Sequence, residues 1–304
     1  MKTKIKKVRR NSEEVRQLFD FYYRQKFFNK WMNKFKFPEL NYQQQHYIMK
    51  KFWGDGTVSC LRPIGATNNL GIDMKEDSII FTPYAPQSLY NIYDFPTMAM
   101  PINTRGVSFI PAKALMIDEE IVLGWCQKNH KSVFSSIEAK FNQLIDIEMT
   151  IRVSTKSQKM PWLFASTPEN KQAMENLIEG LESDDPVLFT TLEESEKGKA
   201  LLSGSPYVLD KLEQLRQKLE DDINTILGVN NVGIAEKKEH LIVDEVNANN
   251  QAVEESSDEY LEMLKDFFDR VDKVFGYKVN VQLAHEIENN EEMSYNEEGE
   301  KDDE

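Results

Sequence analysis

The chain has 304 residues, a hydrophobic fraction of 40% and a formal net charge of -14. That length and apolar content exclude a small disulfide-stapled scaffold and a wholly disordered chain, leaving one elaborate domain or two smaller ones. No apolar run approaches the roughly 20 residues that span a bilayer, and the two cysteines, Cys60 and Cys126, form no ligand-spaced pair, so they read as small buried hydrophobes.

In chain order, the first segment (1–11) is basic: Lys2, Lys4, Lys6, Lys7, Arg9 and Arg10 stand there with no acidic side chain. It reads either as a solvated end or as an arm for phosphate or an acidic protein surface. No apolar stretch follows it, so it does not read as a signal peptide, and synthesis in a cytoplasm is expected. Asn11 or Ser12 caps a first helix whose apolar positions are Val15, Leu18, Phe19, Tyr22, Tyr23, Phe27, Trp31 and Phe35. Pro38 ends it. A short second helix covers Tyr42 to Trp53 and stops at Gly54-Asp55-Gly56. From Thr57 to Trp125 short β-rich runs (58–61, 78–82, 107–110, 121–125) alternate with Pro, Gly and Asn. The prolines of that region, Pro83, Pro86, Pro96, Pro101 and Pro111 among them, exclude long regular strands.

Helix returns over about 130–153, a rod of roughly 35 Å. Pro161 to Ala165 then reads as a strand, a helix starts at Thr167-Pro168, and Val187–Thr190 reads as a second strand. This is a β-α-β unit with a parallel pair expected, too small to stand alone. A second rod of roughly 30 Å runs from about Tyr207 to Leu227 with Gly228 as its C-cap. A polar segment carrying Lys237 and Lys238 follows, then a helix from about Ala248 or Ser256 to Phe275, and a final strand over 277–283. From Glu286 the last nineteen residues hold ten acidic side chains and one lysine, which reads as a disordered tail.

Enzyme chemistry finds few footholds. The four histidines (His46, His130, His240, His285) lack partners at metal-ligand spacing, and neither a phosphate loop nor a GxSxG elbow occurs. Two carboxylate pairs, Glu119-Glu120 and Asp184-Asp185, leave open a metal-dependent nuclease, although a loop face and a turn are the simpler readings. Trp31, Phe35, Phe37 and Trp53 lie near lysines, as in a single-strand stacking platform, but their helical spacing favours core packing.

Several runs together resemble one family: Pro206 to Leu212, Leu227-Gly228-Val229, Glu236 to Glu239, Asp244 to Asn247, and upstream Phe141 to Leu144, Lys159-Met160-Pro161 and Pro186 to Phe189. They resemble the portal proteins, also called upper collar or head–tail connector proteins, of small short-tailed phages with protein-primed DNA genomes. The resemblance implies an α+β portal fold with long stem helices, a β-α-β clip and a mixed helix/β wing, assembled as a ring of about twelve subunits around a double-stranded DNA channel. On that pattern 1–11 is the basic arm, 12–129 the wing and 130–158 a stem helix. The clip is 159–205, the second stem helix 206–228, the channel loop 229–250, the C-terminal wing or crown 251–285 and the acidic tail 286–304. It implies channel contacts at Lys211, Lys237 and Lys238, and contacts of the basic arm with the packaging apparatus, in some members a structural RNA. A further channel lysine of the family is unmatched; Leu202 or Ser203 stands there, with Lys197 and Lys199 nearby. Implied partners are the capsid and scaffold proteins, a packaging ATPase and the lower collar or tail proteins, with no cofactor, metal or membrane, and a place at the head–tail junction of the virion. A different neck or adaptor protein of the same virus is a third reading, which the order long helix, clip, long helix disfavours.

Overall fold

A computed structural model describes residues 12–64, 66–68, 72–73, 78–87, 89–109, 113–159, 162–165, 199–202, 207–230 and 243–284. In chain order its elements are α1 (Ser12–Asn33), β1 (Phe35–Lys36), α2 (Tyr42–Gly54), β2 (Thr57–Leu61), β3 (Ala66–Thr67), β4 (Ile80–Thr82), β5 (Tyr84–Pro86), β6 (Met98–Pro101), β7 (Ser108–Phe109), β8 (Leu115–Met116) and β9 (Ile121–Trp125). Then follow α3 (Val133–Lys159), β10 (Trp162–Ala165), β11 (Lys199–Leu202), α4 (Leu209–Ile226), α5 (Val243–Phe275) and β12 (Gln282–Leu283). They fall into two compact units, Met1–Asn142 with Glu220–Glu304, and Gln143–Leu219.

The first unit is built on aromatic packing. Helix α1 carries Glu13 and Glu14 in its first turn and Lys30 in its last, the order its dipole favours. It buries Val15, Tyr23, Phe27 and Trp31, while Phe21 and Tyr22 stay exposed. The helix ends at Asn33, so Phe35 leaves the expected helical stripe. It lies instead in β1, antiparallel to β12. The ring of Trp31 meets Phe35, Trp53 and Tyr260 edge-on or tilted. With Trp31, Phe35 and Phe37 all buried, these aromatics are core and offer no stacking platform to a nucleic acid.

Helix α2 starts with a reciprocal capping box between Asn41 and Gln44. It ends at Asp55, and Gly56 turns the chain at φ +77, where a Cβ would lie 2.5 Å from the Lys131 carbonyl carbon. Strand β2 is central in an antiparallel sheet of order β4-β2-β9. Helix α5 packs on β9 and α2 on β2. Gly124 permits the first contact: a Cβ there would sit 2.6 Å from the Phe267 ring, which is fully buried. Two smaller sheets, β3-β7 and β5-β6-β8, close over Leu61, Ala66, Ala99, Phe109, Ile121 and Leu123. The irregular β region expected over 57–125 is therefore present, in strands of two to five residues. Both cysteines are buried, and burial pushes both thiols far up from their ordinary range.

Helix α5 begins at Val243, earlier than the expected Ala248 or Ser256. Residues 243–250 are thus helical rather than loop, and 231–242 lie outside the described residues. Gly276 ends α5 at φ +66. Beyond it Val279, Val281 and Leu283 point inward as the alternation predicts, but only Gln282–Leu283 pair as a strand.

In the second unit β10 pairs with β11, antiparallel, with Trp162 opposite Leu202 and Ala165 opposite Lys199. β11 is a neighbour that was not expected; the parallel partner expected for β10 is the strand at 187–190. The expected helix after Thr167 and strand at 187–190 lie outside the described residues. The rods are also less equal than expected: 27 residues make α3 about 40 Å long and 18 make α4 about 27 Å.

Candidate nucleic-acid interface

Three lysines carry the expected channel contacts, and one of them lies among the described residues. Lys211 is exposed in the first turn of α4. Its neighbouring carboxylates are engaged elsewhere: Asp210 accepts from the Tyr207 hydroxyl at 3.0 Å, and Glu213 is bridged by Arg216. Arg216 also lies 3.9 Å from Glu148 of α3, within the same unit. Lys211 therefore projects from α4 beside two carboxylates that already have other partners. Lys237 and Lys238 lie outside the described residues, as do Lys2, Lys4, Lys6, Lys7, Arg9 and Arg10 of the arm. Lys199 stands in the β10–β11 ladder, and Lys197 lies outside the described residues.

The structure adds a set of lysines that sequence reading missed. Lys26 and Lys30 share one face of α1, and Lys34 follows four residues on, in the turn just after the helix. Each reaches the last turns of α4. The Lys26 amine meets the buried Glu220 at 2.6 Å, Lys30 donates to Asn224 Oδ1 at 3.2 Å, and Lys34 lies 3.5 Å from the Leu227 carbonyl. A cation at a helix C-terminus complements the dipole. Burial pulls the Lys34 amine from 10.5 down to about 7, against the opposing pull of Asp258. Burial, then Lys26, lowers Lys30, with Glu220 and Asp221 opposing. These lysines hold protein, not phosphate. The signal was in the sequence as Lys at every fourth position over 26–34 and as Glu220 and Asn224 four apart on α4, but nothing local shows that the two segments meet.

The end of α4 is accordingly fixed. Gly228 adopts φ +62, its N–H donates to Thr225 O at 3.0 Å, and Val229 N–H donates to Asn224 O at 2.8 Å. This is the paired bonding of a Schellman cap. The Tyr260 hydroxyl adds a 3.3 Å contact to Ile226 O, and Lys140 of α3 pairs with Asp222 at 2.6 Å. The segment carrying Lys237 and Lys238 thus leaves from a rigid anchor at one end and joins α5 at the other.

The carboxylates considered for metal chemistry are structural where described. Glu120 accepts from Met116 N–H at 3.0 Å and from Lys113 at 3.3 Å, and these two contacts, the backbone one first, hold its carboxyl below the usual range. Glu119 is an exposed turn residue, and Asp184-Asp185 lie outside the described residues. Among the described residues no group of three or more His, Cys, Asp or Glu is placed to hold a metal ion. His130 stacks on Trp125 with centroids 4.2 Å apart, and His46 meets the rings of Phe28 and Tyr42. Among those residues, too, no helix is long and apolar enough to cross a membrane.

Compared with known proteins, residues 2–288 match a family described as Phage Connector (GP10). A chain from the solved portal and tail of native bacteriophage P68 aligns over 90% of both chains, at 12% identity and a TM-score of 0.39.

Proposed function

We propose, from the premise that this chain belongs to the phage connector family, how its charges serve a DNA conduit. As a member of that family it is a structural protein of the phage head–tail junction, a portal in contact with capsid and tail. The finer reading is a ring of about twelve copies that passes double-stranded DNA during packaging, retention and ejection. Lys211, Lys237 and Lys238 line the channel. The basic arm contacts the packaging ATPase or its RNA, and other faces meet the capsid, scaffold and lower collar proteins.

The observation that carries this reading is the family match across nearly the whole chain. Charge supports the mechanism. Tight DNA binders neutralise phosphates with Lys and Arg, yet each copy here carries -14. An acidic wall repels the duplex evenly, and sparse lysines give salt-screened contacts without sequence preference. DNA then slides rather than sticks. The engagement of Lys26, Lys30 and Lys34 with α4 leaves that duty to the lysines of the α4 start and the following segment. The test is the double substitution Lys237→Ala/Lys238→Ala in assembling particles. Rings should form as before, while DNA retention or late packaging falls. Unchanged packaged length together with unchanged retention would refute the role.

A further inference from the structure

The strands β5 and β6 extend into a hairpin whose tip is both rigid and apolar. The Asn91 side chain accepts from the N–H of Tyr93 at 2.9 Å and of Phe95 at 3.1 Å, and Asn91 N–H donates to Phe95 O at 2.8 Å. Asp94 completes the turn at φ +60. On this frame Leu89, Tyr90, Ile92, Tyr93 and Phe95 are 59%, 54%, 88%, 74% and 47% exposed. At about 200 Å² per large side chain they present on the order of 600 Å². That is at the upper end of what a monomer leaves open, and close to one side of a standard interface.

The other end of the same hairpin opens on an apolar hollow of about 440 Å³, lined among others by Leu61, Ile64, Pro101, Phe109, Leu115 and Phe275. Ile64 stands at its mouth, 70% exposed. The rim carries Arg62 and Lys113 with Glu119 and Glu120. Glu120 is engaged by Lys113 and by Met116 N–H, so the exposed Arg62 guanidinium, also a donor to Phe275 O at 3.2 Å, is open to an acidic partner. Pro101 pairs with Tyr84 at the hairpin base. Of the seven positions from 95 to 101 that lead back to it from Asp94 at the tip, four are strand. The tip is held elsewhere on its own unit, where Phe95 meets the His130 ring with centroids 5.8 Å apart.

We infer that the hairpin tip of one subunit seats in this hollow on the next subunit, Ile92 and Tyr93 entering it and Asp94 meeting Arg62. Two different, mutually complementary patches on one chain make a heterologous contact, the kind that closes into rings. Preorganisation by Asn91 lowers the entropy lost on docking. The inference rests on the ring reading above, and it adds which surfaces close the ring.

The test joins native mass spectrometry with disulfide trapping in the full-length protein. Ile92→Cys and Ile64→Cys are both exposed, and the buried Cys60 and Cys126 stay silent. The double variant should give covalently linked subunits on oxidation, as should a mixture of the two single variants, while neither single variant alone does. Ile92→Asp/Tyr93→Asp, on a surface tip that does not feed the core, should raise the subunit concentration needed for assembly about tenfold or more. Unlinked subunits within wild-type-like rings, with the Asp variant assembling normally, would overturn the contact and leave the ring standing. Normal rings of the Asp variant that fail to enter capsids would assign the tip to shell proteins and equally overturn it. A wild-type protein that stays monomeric would remove both the ring and the contact.

Discussion

Gly228→Ala is the sharpest probe of how α4 is tied to the segment that follows. The residue sits at φ +62, and a Cβ would lie 2.8 Å from Ser257 N and 2.9 Å from Ser257 Cα, both backbone, besides 2.4 Å from the Lys34 amine. The left-handed conformation costs a non-glycine residue about 1–2 kcal/mol. The clash adds about 1–3 kcal/mol, because the α5 backbone cannot swing aside as a side chain can. Gly276→Ala is the matched control: φ is +66, also at a helix end, but nothing lies within 4 Å of its Cβ position. It should lose only the conformational share. Urea unfolding at one subunit concentration, with the slope unchanged, should place Gly228→Ala about 2 kcal/mol below Gly276→Ala. Equal losses within about 0.5 kcal/mol would show that Gly228 is not packed against α5.

Two further predictions concern Lys26 on α1 and Lys34 just after it. Lys26→Ala removes the 2.6 Å cationic partner of the buried Glu220 and should cost about 1–3 kcal/mol, whereas Lys26→Met/Glu220→Leu should recover most of that in a double-mutant cycle; an additive cycle would deny the pair. Lys34 gives a pH signature. With the folded amine near 7 and the unfolded one near 10.5, the unfolded chain binds more protons between those values. Stability should therefore rise with pH across that window, by at most about 1.4 kcal/mol per pH unit. Lys34→Met should flatten that slope in urea midpoints taken at pH 7 and 9, and parallel slopes would refute the shift.

Local signals carried much of the fold. The Gly54-Asp55-Gly56 stop, the Gly228 and Gly276 caps and the alternation of Val279, Val281 and Leu283 each act within a few residues, and each appears in the structure. What was illegible depends on partners distant in sequence. Phe35 fits the period of α1, but pairing with Leu283 takes it into a strand. Lys199–Leu202 has no β-branched or aromatic residue, so only its pairing with Trp162–Ala165 reveals a strand. The Asn-rich run after Val243 reads as loop by propensity, yet it continues the long α5 helix, where context overrides such preferences. Lys26, Lys30 and Lys34 look like solvent-facing charge until α4 lies against them. Of the site itself, Lys211 was legible as an exposed stem residue, while the roles of Lys237 and Lys238 rest on family likeness.

The central claim is a DNA-conducting ring, and native mass measurement with negative-stain imaging of the purified full-length chain tests it most directly. The account predicts a closed ring of about twelve copies with an open axial hole. A monomer at every accessible concentration, above all one that cleaves DNA with a divalent metal, would contradict it.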